Sequence, residues 1–401
     1  MPMTAMMRRK NNSDMENSFR NLPVKRLSPP DGQYFFGYYD LQPFSKDGSR
    51  HLVHKASFAD RLQVKGDRCD IGILKDGIFS KITDTLAWNF QQGAMLQWNP
   101  LCADGEIIYN DVGDGSYVGV VLDIKNGKKR FLERPVANVS KDGLYALSIN
   151  FSRMYDFRPG YGYAYFEDEF KNANHPADDG VFLIDMQNGK AKLVLSLDEI
   201  WQLTGKYFDG DRKLVINHIT FSPDASKFVA LCRNFPEPGK PHRTVVIVCN
   251  RDGHNPKILC DYCYFSHYWW KDNDTLIAFG DGDGLPCGGE ITNYIYKVSD
   301  GTGFKLSDVH FKDEDNHMSL DSSGRYMLND TYPDKMRIQK LSVYDTETDS
   351  NIFVGGFYSP DVPIIDIRCD LHPRWARNGK VFTFDSTHEG FRGVYMTDFE
   401  E

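Results

Sequence analysis

Nowhere in its 401 residues does the chain carry a run of some eighteen apolar residues, so it offers no transmembrane helix. A basic block is missing too: 47 lysines and arginines face 56 acidic residues, for a net charge of −9. That balance argues against nonspecific nucleic-acid binding, which needs clustered cations to neutralise phosphates. An anionic small substrate remains compatible, because a local pocket can oppose the global sign. Residues 1–21 are polar and lack an apolar secretory stretch; we expect a disordered tail there, followed by one domain over 22–401. The eight cysteines (69, 102, 232, 249, 260, 263, 287 and 369) show no framework spacing. Together with the missing signal, this predicts reduced thiols and a cytoplasmic protein. Cys260-x-x-Cys263 has no second pair to complete a zinc site and reads as two thiols at a strand edge. Asp281-Gly282-Asp283-Gly284 lacks the remaining ligands of a calcium loop and reads as a turn. Helical patterning is confined to 197–203 and, more weakly, 167–172.

What is present is a repeat. Tight-turn signals recur at Asp47-Gly48, Asp104-Gly105, Asp142-Gly143, Asp224-Ala225, Asn273-Asp274, Ser323-Gly324 and Asn378-Gly379. Most steps are about 40–55 residues, a period that fits four strands per unit and a β-propeller. The one long step contains an insertion, 153–179. The seventh unit, 368–399, runs out after three strands, while Pro23-Val24-Lys25-Arg26-Leu27-Ser28 is a strand without a partner. We therefore expect an all-β, seven-bladed propeller whose N-terminal strand completes the last blade and removes an exposed edge.

Four histidines share one register within this repeat. His218, His317 and His372 each lie seven residues before the second residue of their turn, and His267 lies six before Asn273. Equivalent positions in a propeller are related by rotation about one axis, so these imidazoles converge on one channel mouth. Convergence of that kind suggests a metal or a catalytic centre. Strand alternation puts Asp370 on the face of His372, and Cys369 joins them only if the strand is bulged. With His267 and His317 this set suits Zn²⁺, or Mn²⁺ if an oxygen ligand takes part. His218 is placed to act as a base and Arg233 to clamp a carboxylate. The insertion opens with Arg158, Tyr161 and Tyr163 in a loop long enough to cover the mouth. Gln97, Trp98 and Asn110 bring amides and an aromatic face toward the axis from the second blade.

These segments, with Gly93–Trp98, Asn217–Asp224, Ser266–Trp270, His317–Asp330 and Arg368–Trp375, resemble the seven-bladed propeller polysaccharide lyases, namely oligogalacturonate lyases and the related ulvan lyases. The resemblance spans residues 22–399. It implies β-elimination across a uronate, with Mn²⁺ held by three histidines and a glutamine in one branch and a zinc site in the other. On that basis His317 and His372 match metal ligands, and Asp370 replaces the first histidine of a His-x-His pair. His267 matches a histidine near the scissile sugar or a ligand, and Arg233 the carboxylate-neutralising arginine. No histidine lies between His54 and His175, so Gln97 and Asn110 stand where a second-blade catalytic pair would be. The expected function is a lyase on acidic oligosaccharides, with Arg233, Arg158 or the metal on the carboxylate, His218 as base with His267 or Tyr163 as alternates, and Tyr161, Tyr163 or a water as acid. Metal-assisted hydrolysis or epimerisation on the same scaffold, and a noncatalytic binding propeller, are the alternatives.

Overall fold

The repeated turns form as their composition dictates. In three blades a serine hydroxyl donates to an aspartate two residues on: Ser45 to Asp47 (2.5 Å), Ser140 to Asp142 (2.6 Å) and Ser222 to Asp224 (2.6 Å). The backbone N–H of the next residue then closes the turn back onto the serine carbonyl. That residue has positive φ, so glycine suits it; Ala225 (φ 54°) is the exception. Each such turn delivers the chain from the innermost strand of a blade to the second.

A computed structural model describes residues 22–208 and 210–400, so the tail expected over 1–21 falls outside the described residues. Seven four-stranded antiparallel sheets make seven blades. The innermost strands are Gln33–Phe35, Gln97–Trp98, Asn138–Val139, Leu214–Phe221, Phe265–Trp270, Met318–Leu320 and Arg374–Trp375. The last blade closes as expected. Val24–Arg26 pairs antiparallel with Gly393–Asp398, Val24 opposite Thr397 and Arg26 opposite Tyr395. Side chains between adjacent blades form the largest buried cluster, including Trp88, Trp98, Ile108, Val120, Ile184 and Ile247.

Two helices interrupt the β pattern. α1 (Phe151–Phe157) begins the insertion, with the Asn150 side chain accepting from the Arg153 N–H as a cap. α2 (Leu197–Thr204) falls where helical patterning pointed, opened by a reciprocal Ser196–Glu199 capping box. The stretch 167–172 forms turns, and its Asp168 works as an anchor for Arg153. Among the described residues no helix is long and apolar enough to cross a membrane.

Candidate active site

Two of the four histidines owe their direction to matching irregularities in neighbouring blades. Leu214–Phe221 keeps register with its neighbour as far as Ile216↔Cys232 and resumes it at Ile219↔Ala230, leaving Asn217 and His218 in a bulge. Phe265–Trp270 does the same between Phe265↔Gly280 and Tyr268↔Ala278, leaving Ser266 and His267 there. A bulge re-aims side chains that strand alternation would send into the sheet. His317 immediately precedes its strand, and His372 reaches the centre through a left-handed backbone (φ 43°), strain that marks an over-determined site.

The imidazoles converge as the register required. The ring centroids of His267 and His317 are 4.0 Å apart, and those of His317 and His372 are 4.2 Å apart. His317 Nε2 faces His372 Nε2 at 3.2 Å. Donor atoms of His317, Asp370 and His372 lie within 4.8 Å of one another, all three residues buried. The outer nitrogens are already committed. His317 Nδ1 meets Asp330 at 3.0 Å, and His372 Nδ1 meets the Gly37 carbonyl at 2.9 Å. Asp330 also accepts from the backbone N–H groups of His317 (2.7 Å) and His372 (3.0 Å), so one carboxylate holds the backbone at both histidines. Burial pushes its pKa up to about 7, against the pull of His372 and those N–H groups. His267 Nδ1 is oriented likewise by Asp315 at 3.0 Å. Burial, then repulsion from His267 on His317 and from His317 on His372, holds both well below the usual imidazole range, so both are neutral at pH 7.

A segment that sequence analysis did not single out occupies the middle of the ring. After the first inner strand the chain crosses the axis as Gly37-Tyr38-Tyr39-Asp40. The Tyr39 ring lies 5.3–6.2 Å from all four histidine rings, and its hydroxyl donates to the Tyr268 carbonyl at 2.9 Å. The mouth is therefore floored by tyrosines. Gly37 (φ 129°) is needed at the crossing: a Cβ there would lie 2.8 Å from the Gln92 carbonyl oxygen. Gly37→Ala is expected to misplace the carbonyl that fixes His372, read as displaced His372 imidazole resonances.

On the insertion side, His218 Nε2 meets Asp40 Oδ2 at 2.8 Å, while His218 Nδ1 and Asp40 Oδ1 are buried without a partner. Arg233 is also buried. Its guanidinium donates to Asn217, to Thr244 Oγ1 (3.2 Å) and to the Phe265 carbonyl (3.1 Å), all neutral acceptors. Burial and the nearby Arg158 push its pKa down, opposed by Tyr38, Tyr161 and Tyr332. Arg158 reaches Asp366 at 3.4 Å and lies over the Tyr161 ring at 4.5 Å. Tyr161 meets Tyr38 edge-on at 6.2 Å. Burial raises the pKa of all three tyrosines, so they remain protonated proton donors. Beside them, burial and the two arginines bring His242 down to about 3. Sequence analysis missed Tyr38, Asp40, His242, Tyr332 and the bidentate Arg368–Asp370 pair (2.5 and 2.8 Å).

Five expected residues need correction. Cys369 lies outside the histidine cluster; it lines a cavity with Ile367 and Arg392, and burial lifts its thiol to about 12. The Tyr163 ring stacks on Phe151 at 4.3 Å, and its hydroxyl meets Asn110 Nδ2 at 2.9 Å inside the core. Asn110 is consumed by that bond and by a two-way bridge to Val136. Trp98 lies at the far end of its strand, donating to the Pro43 carbonyl (2.9 Å) under Arg50. Gln97 donates back to the Met95 carbonyl at 3.3 Å. These are packing residues. Tyr163→Phe is accordingly expected to cost about 1 kcal/mol in denaturant unfolding, the worth of one buried hydrogen bond.

No family model matches the chain, and no curated protein matches it. Among solved structures it is similar to an oligogalacturonate lyase in complex with manganese, with TM-score 0.67 and 16% identity over 96% of this chain and 95% of that one. It is also similar to the oligogalacturonate lyase of Vibrio parahaemolyticus, with TM-score 0.65 and 13% identity over 95% and 94%. The tricorn protease matches more distantly, with TM-score 0.52 and 10% identity over 95% of this chain and 34% of that one. At these identities the likeness is one of fold, a seven-bladed propeller of the oligogalacturonate lyase type.

Proposed function

We propose that this chain is a carbon–oxygen lyase that cleaves uronate-containing oligosaccharides by β-elimination, with a divalent cation at the histidine cluster. The observation that carries the proposal is Arg233. A buried guanidinium bonded only to neutral oxygens lacks a counter-charge, and desolvation makes that costly unless an anion completes it. It lies beside the His218 bulge through Asn217, with Arg158 near, so a bound carboxylate would be delivered next to a buried imidazole.

The cation follows from the facing nitrogens. A carbonyl can only accept, so His372 carries its proton on Nδ1, and Asp330 places that of His317 likewise. Both Nε2 lone pairs then point at each other across 3.2 Å, an arrangement that needs a positive centre between them. Nitrogens bound at about 2.1 Å to a tetrahedral ion sit about 3.4 Å apart, close to what is found. His317, His372 and Asp370 would hold Zn²⁺ or Mn²⁺, with His267 as the adjacent donor. The similar fold of a lyase in complex with manganese supports a divalent ion. When bound, the ion supplies Lewis-acid polarisation of a substrate oxygen.

The protein groups divide the rest of the reaction. Arg233 and Arg158 neutralise the uronate carboxylate, which makes the C5 proton more acidic. His218 removes that proton through Nδ1, while Asp40 holds Nε2–H and stabilises the imidazolium. Tyr161, kept protonated by burial, donates to the departing O4. Elimination creates a conjugated double bond without consuming water, so incubation with uronate oligomers should raise absorbance at the ultraviolet edge. New reducing ends without that rise would assign hydrolysis instead, and no change with any uronate oligomer would remove the lyase. His218→Gln is expected to lower kcat by about 10²–10⁴ while metal content stays that of the wild type.

A further inference from the structure

The outermost strand of the fourth blade, Lys257–Cys263, loses step with its neighbour at its end. Val246 faces Cys260 and Thr244 faces Cys263, so two residue steps on one strand meet three on the other. In a regular strand, residues three apart point to opposite faces, roughly 10 Å from each other. The extra residue folds that distance away: Cys260 Sγ and Cys263 Sγ are 2.7 Å apart, and both cysteines are free. Both side chains are buried, yet their strand is hydrogen-bonded on one side only, where fraying admits small reagents.

The pair adjoins the shelf that supports Arg233. Cys263 lies opposite Thr244, and its Sγ lies 3.5 Å from the Thr244 carbonyl oxygen. Thr244 Oγ1 accepts from Arg233 Nε, and Phe265, two residues after Cys263, supplies the carbonyl that accepts from Arg233 Nη2. The same Thr244 hydroxyl donates to the Phe265 carbonyl at 3.3 Å. Movement of 260–265 would therefore move two of the three acceptors of Arg233.

We propose that Cys260 and Cys263 close an intrachain disulfide under oxidising conditions, and that this bond clips the Thr244–Phe265 shelf in place. A low-molecular-weight disulfide is sufficient oxidant. One cysteine thiolate attacks it, releasing one small thiol and leaving a mixed disulfide; the second cysteine displaces the other small thiol as the Sγ–Sγ bond forms. The protein gives up two protons and two electrons, and the reagent takes them as two thiols. The hydrogen bond with Cys260, and then burial, push the Cys263 thiol up, so exchange in the folded chain is slow. The clip does not depend on the lyase proposal, and its test needs no activity.

The full-length protein is equilibrated for hours with glutathione disulfide at mildly alkaline pH, then denatured, alkylated, weighed and peptide-mapped. Peptide mapping should find a cross-link joining 260 to 263, with neither of them alkylated. Cys260→Ser and Cys263→Ser should each abolish the cross-link, whereas Cys249→Ser should retain it. Cys260 and Cys263 both recovered alkylated, a mixed disulfide persisting at either, or a bridge from either to another cysteine overturns the proposal. Hydrogen exchange tests the clip: amides of 244 and 263–265 should exchange several-fold more slowly in the oxidised protein. Equal rates in the two forms would leave a disulfide with no hold on the shelf.

Discussion

His317→Ala is expected to release the bound cation and abolish turnover in one step. His317 is the pivot of the cluster: its Nε2 faces His372 at 3.2 Å, its ring lies 4.0 Å from His267, and Asp330 fixes its other nitrogen. Removal takes away the imidazole that links His372 to His267 and leaves between them a carboxylate already tied by Arg368. Elemental analysis after dialysis should find about one metal per wild-type chain and none in the variant. Asp330→Asn gives a graded counterpart. It keeps an oxygen near His317 Nδ1 but removes the charge, and outer-shell changes of this kind cost about 10–100-fold in metal affinity. A wild-type protein that is folded and metal-free, with His317→Ala indistinguishable from it, would mean that the histidines only line the axis. Metal retained by the variant would instead place the ion elsewhere.

Much of this architecture was legible because repetition amplifies weak signals. A single tight-turn signal says little, but seven recurring along the chain define blades, and three strands at one end with one at the other define closure. The same logic found the four histidines. It failed where a feature occurs once. Gly37-Tyr38-Tyr39-Asp40 has no counterpart in other blades, so nothing in the repeat announced that it crosses the axis; the cue available was a glycine followed by bulky polar aromatics where strand alternation ends. Proximity in sequence misled at the insertion. Tyr161 and Tyr163 belong to one short run, yet Tyr161 lies under Arg158 at the mouth while Tyr163 stacks on Phe151 in the core. Gly162 permits that turn, since a Cβ there would lie 2.0 Å from the Tyr155 backbone nitrogen. α1, one seven-residue helix, is too short to show a helical period.

The largest stability loss is expected from Arg153→Met, at a side chain that is not part of the histidine cluster. Arg153 is 1% exposed, and its guanidinium makes five bonds. Nε donates to the Leu214 carbonyl (2.5 Å), Nη1 to Asp168 Oδ2 (3.0 Å) and the Phe170 carbonyl (3.2 Å), and Nη2 to the carbonyls of Ala173 (2.9 Å) and Asn174 (2.6 Å). One side chain thus gathers the insertion and fastens it to the inner strand that carries His218 four residues later. Methionine fills the space of the stem but strands a buried carboxylate and four carbonyls. Breaking a buried pair in this way costs about 3–5 kcal/mol, which chemical denaturation would read as a lower midpoint. Asp168→Asn should cost less, because Asn150 and the Phe170 N–H still hold that side chain. The double variant should recover part of the loss, since the stranded charge is then gone. Because α1 and the loop bearing Arg158 and Tyr161 hang from this anchor, the insertion should also become the first site of proteolysis and KM should rise. A midpoint unchanged to within about 0.5 kcal/mol would show that the insertion is held by its aromatic packing alone.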